Sequence, residues 1–344
     1  MSRYIVRRLL QAIPLLFIIS LILFILMRST GDPVAMMGGR RMLRPEDRER
    51  LSRQLGLDKP MLVQYLYWLI GNDWTKVDLD GDGVPETAGS QKGVLRGEFG
   101  QSLVSRGKEA LDIIMERLPN TLLLMIPAEI IVIFFSVAVG IYSALRQYTF
   151  TDHLVTTFSF VGYSMPIFFV ALVSMYIFAV KFKQWGLPYL PTVGMFDPQV
   201  GKTTSQVALH MVLPLFSMTI ITIAGYSRFV RSTMLEVISE DYIRTARAKG
   251  LQERVVLFVH ALKNASLPLV TIVGLDVPLL LGGAIVTESI FSWPGMGRLF
   301  LDHVSRADTP VVMGILMIIS VAVVLSQLVT DIVYAWLDPR IRYT

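Results

Sequence analysis

The residues best suited to chemistry lie in a basic stretch, DYIRTARAKGLQERVVLFVHALKNASLPLV, which runs from Asp241 to Val270. It combines arginine and lysine side chains with a dense run of Thr, Ala and Gly. Guanidinium and ammonium groups donate hydrogen bonds to carboxylates and carbonyl oxygens, and small side chains let another surface approach the backbone. The pattern indicates a partner-binding surface centred on Arg244, Thr245, Ala246 and Gly250.

Local signals predict a short helix in this stretch. Ser239 is a favourable N-cap residue, and Glu240 and Asp241 suit the first turn, where the helix dipole favours negative charge. Gly250 suits the position just after the last turn. We therefore expect a helix from about Glu240 to Lys249.

One face of the predicted helix is defined by residues three and four positions apart. It holds Ile238, Tyr242, Thr245 or Ala246, and Lys249. An alternative is a helix that lies on anionic lipid, with its arginines toward phosphates. That alternative accounts for the arginines but not for the concentration of Thr, Ala and Gly.

A second polar pattern is the acidic stretch DLDGDGVPETAG. Asp78, Asp80 and Asp82 match the beginning of an oxygen-ligand calcium loop, D-x-D-x-D-G. The twelfth position, where a glutamate should complete the site, is Gly89, and Glu86 could substitute only in part. Two interpretations stay open, a structural calcium ion and a solvated acidic turn.

Motifs of common hydrolases are absent from the sequence. There is no H-E-x-x-H, no G-x-S-x-G and no cysteine. The GLD at Gly274–Asp276 lacks the full G-x-G-D of intramembrane aspartyl proteases. The four histidines are scattered, at His153, His210, His260 and His303. We predict that the chain is not an enzyme.

The composition is that of an integral membrane protein. Of the 344 residues, 53% are hydrophobic and only 17% are charged, and the mean hydropathy is +0.55. A helix needs about 20 apolar residues to cross the hydrocarbon layer. Six runs qualify, so we expect an all-α protein with six spans: Leu9–Met27, Thr121–Leu145, Val155–Val180, Val207–Phe229, Leu267–Ile290 and Val311–Trp336.

Basic residues predict the orientation of these spans. Arg3, Arg7 and Arg8 precede the first span, which is too long for a cleaved signal sequence, and Arg340 and Arg342 lie in the tail. With an even number of spans, both termini and the basic stretch share one side, which the positive-inside rule makes cytoplasmic. The net charge of +5 therefore indicates membrane orientation rather than nucleic-acid binding.

The long polar segment 31–118 falls on the opposite side. Pro45 to Gly56 and Pro60 to Gly71 carry helix start and stop signals, and KEALDIIMERLP spaces its apolar residues along one face. A small helical cap is the expected product. It is either a docking surface for whatever delivers the substrate or a structural lid.

Four carboxylates lie in or near the apolar runs: Glu129, Asp276, Glu288 and Asp331. Ionisable groups are costly inside a membrane and mark functional candidates. A structural pair or an interfacial position is the alternative, which we expect for Asp331.

Helix breakers also lie within the spans. Pro166, and Pro278 with Gly282-Gly283, predict kinks that could act as hinges. In SIFSWPGMG, Pro294 and Gly295 predict a chain reversal, which could be a gate or an anchoring turn.

The pattern DYIRTARAKGL…HALKNASLPLV resembles the cytoplasmic EAA loop of ABC importer permeases, in the form of the dipeptide/oligopeptide/nickel family. The position of the general pattern's glutamate is Arg244, its alanines are Thr245 and Ala246, and its glycine is Gly250. The closing Leu267-Pro268 comes five residues later than in sugar permeases, and these departures favour the peptide branch.

Further stretches resemble the same family, in the manner of a dipeptide-type permease, and extend the resemblance over nearly the whole chain. They are GDP at Gly31–Pro33, LGLDKP at Leu55–Pro60, GYSMPIFF at Gly162–Phe169, TESIFSWPGMGRL at Thr287–Leu299 and DPRIR at Asp338–Arg342.

The resemblance implies a type I ABC importer permease fold of six transmembrane helices, with a helical extracytoplasmic insertion. It divides the chain into 1–30, the cap 31–118 and a permease core 119–344 with its cytoplasmic loop at 231–266. The short basic helix would be the coupling helix, which fits a groove on a cytoplasmic ATPase. Its coupling residues would be Glu240, Asp241, Tyr242, Arg244, Thr245, Ala246, Arg247 and Gly250.

The implied partners are a second homologous permease subunit, two cytoplasmic ABC ATPase domains that bind ATP and magnesium, an extracytoplasmic solute-binding protein and membrane lipid, with no nucleic acid. No cofactor beyond a possible calcium ion is expected on this chain, because it contains no G-x-x-x-x-G-K-[ST] phosphate loop. The implied location is the cytoplasmic membrane of a bacterium or archaeon.

The resemblance also implies that the fifth span helps to line the translocation path, so Asp276, Glu288 and the hinge residue Pro166 are candidate path residues. Peptides, nickel and other small solutes stay open as substrates. An ion-coupled secondary transporter is the rival class, but the internal repeat that such a protein would carry is not found.

Overall fold

The computed structural model describes residues 2–29, 44–79, 84–105, 107–281 and 284–337, and most of these are helical. One two-stranded antiparallel ribbon pairs β1 (Lys76–Val77) with β2 (Thr87–Ala88). In chain order the helices are α1 (Ser2–Ser29), α2 (Pro45–Gln54), α3 (Met61–Ile70), α4 (Ala110–Leu145), α5 (Phe150–Ser164), α6 (Ile167–Gln184), α7 (Thr204–Ile238), α8 (Asp241–Ala248), α9 (Glu253–Ala265), α10 (Leu267–Leu281), α11 (Ile285–Ile290), α12 (Met296–Val304) and α13 (Thr309–Leu337).

Among the residues that the structure describes, five helices are long and apolar enough to cross a membrane: α1, α4, α6, α7 and α13. A sixth span results if α9 and the first part of α10, which meet at an angle of 48°, are counted as one broken span. The predicted all-α membrane fold is confirmed.

The third predicted span is divided rather than kinked. α5 ends at Ser164, and Met165 and Pro166 are both extended before α6 begins. A residue that precedes proline is driven away from helical dihedral angles, so Pro166 ends one helix and caps the next. The prediction of a kink within a continuous helix was wrong at this position.

Two further boundaries differ from the sequence pattern. The predicted outer helix KEALDIIMERLP and the second span form one helix of 36 residues, α4. α10 continues through Pro278, and a bend of 48° lies between Ala265 and Leu267. The predicted kink at Pro278 stays a prediction. Gly282 and Gly283 lie outside the described residues.

The chain divides into two compact units. The first contains Asn120–Arg298 and Ala322–Thr344, and the second contains Ser2–Pro119 and Leu299–Val321. The predicted division into anchor, cap and permease core was drawn by function rather than by packing, and it stays a prediction.

In the first unit one apolar cluster joins α4, α7, α8, α9 and α10, and it includes Val230, Met234 and Ile243. In the second unit Phe24 and Tyr65 pack edge to face at 5.6 Å, and Tyr65 shares a hydrogen bond of 2.7 Å with Ser20. Each unit therefore has its own core.

Candidate functional site

The short basic helix α8 follows α7 after a tight turn. Ser239 ends α7, because its hydroxyl donates to the Glu236 carbonyl at 2.7 Å. Glu240 is the N-cap residue of α8, with an extended backbone and no side-chain cap. The helix itself is Asp241–Ala248, so the prediction that Ser239 caps it was wrong.

Two apolar side chains fix α8 to the rest of the first unit. Ile243 is fully buried and Ala246 is 7% exposed, and both belong to the cluster that contains Val230, Met234 and Val256. Residues three apart lie on one face of a helix, which here faces inward. Ala246 therefore packs inside the chain, contrary to the expectation that it lies on an exposed face with Thr245.

The opposite face of α8 is exposed. Tyr242 is 41% exposed, and its hydroxyl accepts a hydrogen bond from the Asn264 amide at 2.8 Å. The Arg244 side chain is 73% exposed and makes a long ion pair with Asp241, at 3.4 Å. Thr245 is also exposed. This face, which we call the α8 outer face and define as Tyr242, Arg244, Thr245, Ala248 and Lys249, is accessible to another protein.

The end of α8 combines an ion pair with an open backbone. The Arg247 guanidinium donates to both carboxylate oxygens of Glu253, at 2.7 and 3.2 Å, and so links α8 to the start of α9. Between them Gly250 adopts a φ of +76°, and no atom lies within 4 Å of the position of an added Cβ. Only glycine adopts this conformation readily, so the sequence-based reason for Gly250 is supported.

Asp276 lies in a polar cluster inside the apolar spans. It accepts a hydrogen bond from the Tyr226 hydroxyl of α7, and it is near enough for its charge to act on Glu129 of α4. Glu129 Oε1 is buried, and within the part of the chain that the structure describes it has no hydrogen-bond partner. The helices α4, α7 and α10 thus bring together Glu129, Tyr226 and Asp276. The two carboxylates were candidates from the sequence, and Tyr226 was not.

Glu288, the second predicted path residue, is fully buried. One carboxylate oxygen accepts from the Thr121 hydroxyl at 2.9 Å, and the other from the Arg298 amide at 3.0 Å. A Cβ at Gly295 would overlap this carboxylate. Glu288 therefore organises the turn that follows it and offers no surface to a solute in this structure.

The same turn is tied to α4 by Trp293. This side chain is fully buried, and its indole N–H donates to the Asn120 carbonyl at 2.9 Å. The Asn120 amide in turn donates to the Pro294 carbonyl at 2.9 Å. The sequence left open whether this turn is a gate or an anchoring turn. Its hydrogen bonds to α4 favour the anchoring turn.

An ion pair between the buried Asp152, near the start of α5, and the partly exposed Arg231 was not identified from the sequence. Asp152 accepts two hydrogen bonds from Arg231 of α7, at 2.8 and 2.9 Å, and a third from the Ser143 hydroxyl. The hydrogen bonds from Arg231 hold the pKa of Asp152 well below its usual range despite burial. A partial signal was the sequence TFTD, which suggests that Thr149 caps α5. The Thr149 hydroxyl does cap this helix, and Asp152 lies in its first turn.

The predicted calcium loop is only partly described. Asp80 and Asp82 lie outside the described residues, so the role of Asp78 and Glu86 as ligands stays a prediction. In the part of the chain for which the structure gives positions, no group of three acidic, histidine or cysteine residues could hold a metal ion. A side chain at Gly89 would overlap Asn72, which explains why the twelfth position carries no glutamate.

Comparison with known proteins matches both parts of the chain to one kind of protein. Residues 136–343 match the family described as "Binding-protein-dependent transport system inner membrane component", and residues 1–125 match its N-terminal counterpart. The chain is 39% identical over 344 residues to the oligopeptide transport system permease protein AppB of Bacillus subtilis (strain 168), with all of both chains covered.

Two more relatives are similar over the same extent. The dipeptide transport system permease protein DppB of Escherichia coli (strain K12) is 37% identical over 364 residues. The di/tripeptide transport system permease protein DppB of Pseudomonas aeruginosa (strain UCBPP-PA14) is 37% identical over 362 residues. Each alignment covers 100% of this chain and 99% of the relative.

Proposed function

This chain belongs to the family of binding-protein-dependent transport system inner membrane components, and we propose that it is the permease subunit of an ATP-driven importer of short peptides. The observation that carries the substrate class is the end-to-end similarity to permeases whose names specify oligopeptides and dipeptides. The alternative cargo is nickel or another small solute.

We assign coupling to α8 and its flanking residues. The α8 outer face would enter a groove on a cytoplasmic ATPase, with Arg244 and Lys249 meeting acidic groups or carbonyl oxygens there. Support comes from its exposure and from the open backbone at Gly250. Glu240, Asp241 and Arg247 would shape the two ends of this contact.

Force on α8 would reach the spans through its inward face. Ile243 and Ala246 contact the cluster that contains Val230 of α7 and Val256 of α9. A close-packed cluster of this kind transmits displacement rather than absorbing it. Closure of the ATPases on ATP would therefore move α7 and the α9–α10 pair together, which alternates access to the path.

The complete importer would need chains beyond this one. A second, homologous permease would form the path with it, two ATPase domains would bind α8 and its counterpart, and a solute-binding protein would deliver peptide to the outer segment. Both termini would be cytoplasmic, as the arginine distribution predicts.

The test begins with the affinity-tagged chain in its native membrane. Mass spectrometry of the purified complex should identify an ATPase with a phosphate loop and a second permease. After reconstitution with the binding protein, labelled dipeptides should accumulate only with ATP. Nickel uptake without peptide uptake would establish the alternative cargo, and uptake driven by an ion gradient without ATP would contradict the importer.

A further inference from the structure

Arg228 carries a positive charge within the candidate span α7. Its side chain is exposed, and its guanidinium lies over the rings of Phe160 and Tyr163 of α5, at 4.9 and 5.5 Å from their centroids. Arg231, one turn later, is bound by Asp152. Arg228 makes no ion pair with any carboxylate in the residues that the structure describes. It is a cation held by two aromatic faces, which leave its N–H groups available.

The position of this charge along the helices argues against contact with lipid phosphates. Side chains of a helix point toward its N-terminus, so Arg228 points away from the Ile238 end of α7. On α5, Phe160 and Tyr163 come eight and eleven residues after Asp152, or about 12 and 17 Å at 1.5 Å per residue. The Arg228 guanidinium therefore lies beyond the Asp152–Arg231 pair, on the side toward the interior of the predicted span Val207–Phe229.

Two glycines shape the place where this guanidinium lies. A Cβ at Gly225 would lie 3.1 Å from the Tyr163 ring, and a Cβ at Gly162 would lie 3.3 Å from Cβ of Ala224. Both contacts are tight, so the glycines let α5 and α7 approach and the Tyr163 ring lie against α7. The aromatic cradle is thus built into the packing of the two helices.

A charge at this depth is unfavourable against hydrocarbon, and intramembrane arginines face protein or a water-filled path. We propose that Arg228, held by Phe160 and Tyr163, is a carboxylate-recognition residue on the translocation path and binds the C-terminal carboxylate of the peptide in transit. This inference rests on the proposed function. Guanidinium and carboxylate match in a bidentate geometry, and a free carboxylate is common to peptides of every sequence.

The natural absence of cysteine makes the test direct. Arg228→Cys places the chain's single thiol at the site, and the reconstituted importer is then treated with water-soluble thiol reagents that attach either an ammonium or a sulfonate group. The variant is expected to lower dipeptide uptake at low concentration by about tenfold or more, the size of a lost charge-assisted hydrogen bond. The ammonium reagent should restore uptake, the sulfonate reagent should not, and dipeptide should slow the labelling.

Lys183→Cys is the matched control, because Lys183 is also an exposed cation over an aromatic ring, 5.2 Å from the centroid of Tyr189. Its uptake should not depend on either reagent. A second arm compares a dipeptide with its C-terminal amide. For each substrate, uptake by the variant is divided by uptake by the unmodified importer, which cancels the binding protein's own preference. Arg228→Gln should lower this ratio for the dipeptide with a free carboxylate and leave it unchanged for the amide.

Several results would overturn the proposal. Three of them are normal transport by Arg228→Cys, a thiol at position 228 that water-soluble reagents do not reach, and equal restoration of uptake by both reagents. A fourth is an uptake defect that varies with the anionic-lipid content of the membrane, which would assign Arg228 to lipid phosphates. Loss of the second permease from the purified Arg228→Gln complex would assign it to the subunit interface. If the unmodified importer takes up no peptide, the proposed function itself fails.

Discussion

The helix α8 and the turn from Glu288 to Arg298 are both rich in polar residues, yet they use them in opposite ways. α8 is fixed by two apolar side chains, Ile243 and Ala246, and its charged groups are at the surface. In the turn the polar groups of Glu288 and Trp293 are buried and bound inside the first unit. One region leaves its hydrogen-bonding groups exposed at the surface, and the other uses them internally.

This difference separates stability from coupling. Exposed ion pairs contribute little to folding, whereas removing one partner of a buried hydrogen bond leaves the other without compensation. Substitutions in the turn should therefore lower the stability of the chain, and substitutions on the α8 outer face should lower transport without unfolding it.

The largest effect is expected from Glu288→Ala. It removes the acceptor for the Thr121 hydroxyl and for the Arg298 amide, and it leaves a void beside Gly295. The free energy of unfolding should fall by about 3 kcal/mol. The melting temperature of the purified chain in detergent is the measurement.

Glu253→Ala is the control for that experiment, since it removes an exposed carboxylate of the same type. Its melting temperature should change little. Equal losses for the two variants would show that burial does not distinguish the turn from α8.

The distribution of spans could be predicted because membrane insertion imposes long apolar runs, which are visible in one dimension. The division at Pro166 was harder to foresee, since a proline within a span either kinks a helix or ends it. The choice depends on neighbouring helices that accept the freed backbone groups. The same holds for α10, which continues through Pro278.

The sites show a sharper limit. The sequence predicted that α8 ends just before Gly250, because the left-handed residue that follows a helix end is a local requirement. It could not distinguish Ala246, which is buried, from the adjacent exposed Thr245, and it could not show that Glu288 meets Thr121, 167 residues away. Burial and long-range partners depend on tertiary packing, which residue spacing does not encode.

The second prediction concerns coupling, and Thr245→Trp is the variant of choice. Ala246→Arg would force a charge into the core, and Gly250→Trp would strain a left-handed residue. Thr245→Trp instead adds bulk to the α8 outer face. ATP-dependent peptide uptake should fall about tenfold, or about 1.4 kcal/mol of docking free energy, with an unchanged melting temperature.

Thr204→Trp serves as the matched variant, because Thr204 is an exposed threonine in the first turn of α7, at the end of that helix remote from α8. Uptake by this control should be normal. Normal uptake by Thr245→Trp as well would remove the assignment of the α8 outer face to the ATPase.

The smallest effect is expected for the ion pair between Arg247 and Glu253. Both side chains are exposed, at 40% and 54%, so solvent screens their attraction in the isolated chain. A double-mutant cycle of Arg247→Gln and Glu253→Gln should give a coupling free energy of less than about 0.5 kcal/mol for unfolding. In the assembled importer the ATPase would cover this pair, and the same cycle, read through uptake, should give a larger value. A coupling above about 1 kcal/mol in the isolated chain would mean that charges, rather than Ile243 and Ala246, fix α8, and the contrast between the two regions would be lost.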